Sequence, residues 1–155
     1  MLGAKIGVIL LVGAALFTFV YGAHYNLDAG MNPAVKDGDL VIYYRWDTSY
    51  VAGDLTVVSY QGQDQVRRVV AVAGDTVDIT ERGLEINGSL QQERDIYAET
   101  IRYAEGIELP ITLQEGEVFV LGDARENVTD SRIYGAVHTE DTRGTVITIM
   151  RRRNL

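Results

Sequence analysis

The chain of 155 residues contains no cysteine. That excludes disulfides, thiolate nucleophiles and cysteine-based metal sites, and it is compatible with an oxidising exterior. Histidine is nearly as scarce. His24 and His138 stand far apart with no ligand spacing, so neither a metal nor another cofactor is expected. Lysine occurs only at positions 5 and 36, and 14 cationic side chains face 22 acidic ones. A formal charge of −8 without a basic stripe argues against a nucleic-acid partner. The single basic run, Arg151-Arg152-Arg153, reads as the solvated end of a strand rather than a phosphate or lipid site. Long apolar runs are missing too, with one exception.

That exception is Ile6 to Ala23, which carries no charge and has about the minimum length for a membrane-spanning helix. Lys5 precedes it, and Asp28 and the acidic remainder follow. The excess of positive charge on one side places the N-terminus in the cytoplasm and the remainder outside. A cleaved secretory signal would have a shorter apolar core and a small-x-small cleavage site, to which Tyr21-Gly22-Ala23-His24-Tyr25 conforms poorly. Tyr21 and Tyr25 suit an interfacial aromatic belt instead. The favoured reading is a retained anchor over residues 1–25 in the cytoplasmic membrane, with one extracytoplasmic domain over residues 26–155.

Past the anchor the pattern is β. Leu40–Tyr44, Leu55–Tyr60, Val66–Ala73, Thr76–Thr80, Gly83–Ile86, Glu117–Leu121 and Thr145–Met150 are short runs rich in Val, Ile, Thr and Tyr. Gly-Asp, Asn-Gly and Glu-Gly pairs separate them, Asn87-Gly88 being the clearest turn. With 46% hydrophobic residues the chain can bury a core of its own. The expected fold is mostly β, a small sandwich or barrel with one N-terminal transmembrane helix. Residues 89–114 are more polar and carry Pro110. They read as a long excursion with an extended edge strand around Ile96–Tyr103.

Three stretches share a pattern. The first is Gly30-Met31-Asn32-Pro33-Ala34-Val35 followed by Gly38-Asp39, and the second is Val66-Arg67-Arg68-Val69 through Gly74-Asp75-Thr76-Val77. The third runs Val118-Phe119-Val120-Leu121-Gly122-Asp123-Ala124-Arg125-Glu126-Asn127-Val128-Thr129-Asp130-Ser131-Arg132, then Gly135. In order, spacing and preceding anchor they resemble the type I signal peptidases, membrane-anchored serine–lysine proteases, over nearly the whole chain. Each stretch alone would be weak, because Gly-Asp turns are common in β proteins.

The resemblance implies a signal-peptidase-like β domain, yet the positions that handle protons differ. The nucleophilic serine corresponds to Gly30, which has no hydroxyl. The general-base lysine corresponds to Arg67, and a guanidinium does not give up its proton at any accessible pH. The second serine, which orients the base, corresponds to Val128. The hydroxyl that some members aim at the oxyanion corresponds to Asp28, whose charge would oppose an oxyanion. Arg68, Gly122, Asp123, Arg125, Asp130, Ser131, Arg132 and Gly135 match the structural pattern. By resemblance Arg68 should pair with Asp123 and Asp130 with Arg132. Asp28 and Arg67 are expected to form an ion pair across the emptied site, the alternative being that both point to solvent. Asp28, Gly30, Met31, Pro33 and Arg67 are the expected lining of a peptide-binding groove, of the kind in which an extended segment adds to a strand edge.

By resemblance the chain is expected to be a non-catalytic, membrane-anchored accessory factor, with a secreted precursor or pilin subunit, and a sortase, as partners. Such relatives assist sortase-built pili in Gram-positive bacteria. The alternative is signal-peptide processing with a displaced or engineered-out active site.

Overall fold

A computed structural model describes residues 2–152, so Arg153 of the basic run lies outside them. Helix α1 covers Leu2–Val20. Its residues from Gly3 onward are long and apolar enough to cross a membrane, and none of that span is buried in the protein. Arg45 ends the helix. Its backbone N–H donates to Val20 O at 3.0 Å, and its Nε donates to Thr18 O and Tyr21 O at 3.3 and 3.0 Å. A cation there suits the unsatisfied carbonyls and negative dipole end of the last turn. Phe19 stacks near Trp46 and Tyr21 near Tyr44, with ring centroids 5.1 and 5.7 Å apart, closing an aromatic collar around the junction.

The chain passes from helix to strand without a linker. The apolar run reads through to Ala23, but β1 already occupies Tyr21–Tyr25 and pairs with β2 (Leu40–Tyr44), Tyr21 opposite Tyr44 and Tyr25 opposite Leu40. Small and aromatic residues suit a lipid interface and a sheet edge alike, and here the waiting backbone of β2 decides.

The remaining strands are β3 (Leu55–Tyr60), β4 (Gln63–Val72), β5 (Thr76–Thr80), β6 (Gly83–Ile86), β7 (Ser89–Leu90), β8 (Ile111–Thr112), β9 (Glu117–Leu121), β10 (Val137–His138) and β11 (Thr142–Met150). A four-residue helix, α2, covers Ser131–Tyr134. Two antiparallel sheets result, one in the order β1-β2-β11-β3-β4-β9-β10 and a smaller one in the order β7-β6-β5-β8. Asn87-Gly88 forms the turn between β6 and β7. Strand β4 feeds all three apolar clusters. Val66 joins Met31, Val35, Val41, Tyr43 and Val57; Val69 joins Tyr50, Val58, Val118 and Val120. Val70 and Ala71 join Phe119 and Leu121 against Val77, Ile79 and Leu84 of the second sheet. A register shift between Val69 and Ala71 opposite β9 marks a bulge. It bends the strand so that both neighbours reach the second sheet.

The excursion differs from expectation. Ile96–Tyr103 is not a strand. Its residues serve side-chain contacts instead, with Thr100 and Tyr103 turned toward the third sequence stretch, and only the two-residue strands β7 and β8 add to the smaller sheet.

Candidate functional site

The strand-rich stretches converge on Gly30. The turn after β1 returns through a cis Asn32–Pro33 bond and is held by Asn26, whose N–H donates to Asp39 O and whose Nδ2 donates to Asp28 O and Lys36 O. The loop after β9 then folds over Gly30. Ala124 N–H donates to Gly30 O at 3.0 Å. Gly122 makes that approach possible, since a Cβ on it would stand 2.6 Å from Gly30 O and 2.4 Å from Val128 Cγ1.

The loop itself hangs on Asp130. Fully buried, this carboxylate caps α2 through Arg132 N–H, accepts from Gly122 N–H at 3.0 Å, and receives Arg132 Nε and Nη2 at 2.9 and 2.8 Å. Arg68 grips Asp123 in the same two-pronged way, at 2.8 and 2.6 Å, and that bond raises the arginine's pKa. Both structural pairs expected from the sequence are therefore formed. Ser131 Oγ accepts from Val120 N–H at 2.9 Å in a buried position, which makes it a brace between α2 and β9.

Arg67, on the same strand, points elsewhere. Its side chain is 3% exposed. Nε donates to Thr129 O at 2.9 Å, and Nη1 donates to Val66 O at 2.6 Å and to Asp28 Oδ2 and Oδ1 at 3.1 and 3.3 Å. Asp28 Oδ1 also accepts the Gly30 N–H at 2.8 Å. One carboxylate thus takes both the backbone donor beside the bare α-carbon and the cation. A Cβ on Gly30 would stand 3.0 Å from Asp28 Oδ1, 3.0 Å from Val128 Cγ1 and 3.2 Å from Arg67 Nη1, so glycine provides the room the ion pair uses.

These residues line a cavity of about 510 Å³ with Gln63, Gln65, Ala124, Glu126 to Thr129, Ala29 and Asn32. Two expected lining residues are absent. Met31 is 0% exposed and packs into the core with Val35 and Val66, and Pro33 is exposed outside the cavity. The reason is the turn: Val35 N–H bonds back to Met31 O, which rolls Met31 inward. No lysine lines the cavity, and Lys36 is exposed in the turn beside Asp39.

Other contributors were not visible as site residues. Glu93 and Thr100 of the excursion hold the fully buried Arg125, with Glu93 Oε2 accepting from Nη1 at 2.7 Å. Tyr103 OH donates to Arg125 O and accepts Val128 N–H, while the Arg132 guanidinium lies over its ring at 4.3 Å. An excursion without periodic pattern gives no signal for such contacts. Gln65 had one: it stands two residues before Arg67 on β4 and so shares its face. Tyr134 OH, buried and without a hydrogen-bond partner among the described residues, has its pKa pushed up by burial.

The family description "Signal peptidase, peptidase S26" matches residues 2–151. Signal peptidase I of Bacillus licheniformis is 29% identical over 126 residues, covering 74% of this chain and 67% of that protein. Signal peptidase I U of Bacillus subtilis (strain 168) is 25% identical over 147 residues, 86% of this chain and 78% of that one. Among solved structures, a signal peptidase I from Enterococcus faecalis V583 aligns with a TM-score of 0.53 and 25% identity, over 64% of this chain and 97% of its own. On the extent of these matches, together with the two ion pairs that carry the third stretch, the chain belongs to the signal peptidase family, peptidase S26.

Proposed function

We propose that this chain is a non-cleaving signal peptidase homologue. In this reading it is held in the cytoplasmic membrane by α1, with its N-terminus inside and its β domain on the outer face. It binds an exported protein segment there as an assembly factor for sortase-built pili. The observation that carries the non-cleaving part is the occupancy of the site. Asp28 accepts the Gly30 N–H and pairs with Arg67, so a negative charge stands where acyl transfer would need donors for an oxyanion. Peptide hydrolysis by this family's route also needs a hydroxyl and a removable proton acceptor. Neither Gly30 nor Arg67 supplies one. The orientation is supported by Lys5 before the helix and the acidic remainder after it. The pilus assignment is supported by the family resemblance together with the loss of the proton-handling side chains.

The competing reading, signal-peptide processing, is favoured by the names of the relatives. Incubating the full-length chain in detergent micelles with a presecretory protein separates the two. Intact substrate after prolonged incubation is expected, and cleavage at the signal junction would sink the non-cleaving reading. Recovery of cleavage should need four changes together, Asp28→Ser, Gly30→Ser, Arg67→Lys and Val128→Ser. The crowding of a residue-30 Cβ by Val128 Cγ1 and Asp28 Oδ1 means that Gly30→Ser and Arg67→Lys do not suffice. For the cellular role, deleting the gene should abolish high-mass pilin polymers on the host surface, and an unchanged polymer ladder would remove the pilus assignment.

A further inference from the structure

The geometry points to a receptor for the carboxyl end of a peptide in the cavity beside Gly30, with Asp28 acting as an internal carboxylate that the ligand displaces. The inference rests on the non-cleaving, binding reading above and names the ligand class for that site.

Three observations carry it. The first is the asymmetry of the ion pair. Arg67 is 3% exposed and fixed by the Thr129 and Val66 carbonyls, whereas the Asp28 side chain is 36% exposed. The cation is part of the wall, and the anion is the member of the pair that water reaches. A buried guanidinium still requires a carboxylate partner, so displacement of Asp28 by another carboxylate preserves the charge balance, while displacement by a neutral group does not. The second is the cradle. Gly30 N–H and Arg67 Nη1 converge on one carboxylate oxygen from 2.8 and 3.3 Å, and a Cβ at residue 30 would stand 3.0 Å from that oxygen. The described residues give Arg67 Nη2 no hydrogen bond, so a donor remains for an oxygen that approaches from the cavity.

The third is Gln65. It lines the same cavity, is 8% exposed, and its Oε1 has no hydrogen-bond partner among the described residues. A buried acceptor without a donor is costly to leave unmet. Gln65 and Arg67 share a face of β4, two residues and about 7 Å apart along the strand. A peptide terminus matches that pair of demands, because it presents a carboxylate and, one residue back, backbone N–H groups. A free inorganic anion meets only the first.

The test uses the full-length chain in detergent micelles and three probes in isothermal titration calorimetry. They are N-acetyl-trialanine with a free carboxylate, the same peptide as its C-terminal amide, and N-acetyl-Ala-Glu-Ala amide, whose only carboxylate is on a side chain. The free acid should bind at least about tenfold more tightly than either amide. Asp28→Ala should tighten the free acid about tenfold by removing the internal competitor. Arg67→Gln should abolish the preference for the acid, and Gln65→Leu should weaken acid binding without removing it. Equal affinity for acid and trialanine amide, in the native chain and in Asp28→Ala, overturns the proposal. So does an absence of binding to Asp28→Ala that melts cooperatively, or equal binding of the glutamate amide and the free acid. Should Arg67→Gln fail to fold, the Asp28→Ala comparison alone decides. Mass spectra of the same samples report any peptide cleavage, which would instead overturn the non-cleaving reading.

Discussion

Arg67 and Arg68 are neighbours on β4, and they hold two different regions of the molecule. Arg68 makes a parallel pair of bonds to an almost fully buried Asp123, and the adjoining Asp130–Arg132 pair is 0% and 1% exposed. Arg67 reaches Asp28 through Nη1 alone, at 3.1 and 3.3 Å, and that carboxylate is one-third exposed. The first region is bidentate, with Asp123, Asp130 and Arg132 almost fully buried and Arg68 26% exposed, so each charge there is structural. The second has a buried cation and a part-exposed anion beside an α-carbon without a side chain. The two share a strand, and no ion pair among the described residues links them.

The comparison breaks most visibly at Asp130. Asp130→Asn leaves Arg132 buried without its counter-charge and weakens the hold on Gly122 N–H, and should cost about 3–5 kcal/mol in a denaturant melt. A loss below about 1 kcal/mol would mean the retained pairs are no firmer than surface ones. Gly30→Ser comes next, at about 1–3 kcal/mol, because the new Cβ presses on Asp28 Oδ1, Val128 Cγ1 and Arg67 Nη1. An unchanged melt would show that the site has slack. Arg67→Gln should cost only about 1 kcal/mol, since Asp28 can turn to water, whereas Asp123→Asn should cost roughly 2–3 kcal/mol by stranding Arg68. Equal losses in this second pair would erase the distinction between the regions.

The smallest effect concerns pH. Burial holds the His24 pKa below 6.5, against the opposing pull of Asp64 and Asp28, and its Nε2 is buried with no hydrogen-bond partner among the described residues. The unfolded chain therefore takes up the proton first, and stability falls as pH drops through 6.5. His24→Gln should flatten the stability profile between about pH 7 and pH 5, and a profile of unchanged slope would contradict this.

Much of this was legible in the residues. Leu40–Tyr44, Leu55–Tyr60, Thr76–Thr80, Gly83–Ile86 and Glu117–Leu121 stand as strands with those bounds because β-branched runs end at turn residues. The Arg68–Asp123, Asp130–Arg132 and Asp28–Arg67 pairs were also expected, and all three are formed. What failed to show depends on partners distant in sequence. Tyr21–Tyr25 looks like the end of an anchor until β2 is placed beside it. Ile96–Tyr103 has strand-like composition, but Thr100 and Tyr103 are drawn to Arg125 and the Val128 amide. Met31 follows a peptide-binding pattern in the sequence, yet the backbone turn at Val35 sends it to the core. The bond from Gly30 N–H to Asp28 is local, two residues apart, but its consequence for the cavity requires Arg67 from another strand.

The uninterrupted passage from α1 into β1, clamped by Arg45, has a geometric consequence for the reading proposed above, in which a client is held in the same bilayer. The five extended residues of β1 span at most about 17 Å between α1 and the turn to Gly30. On that reading, a segment tethered in the same bilayer would need a spacer of no more than about five extended residues to reach that turn.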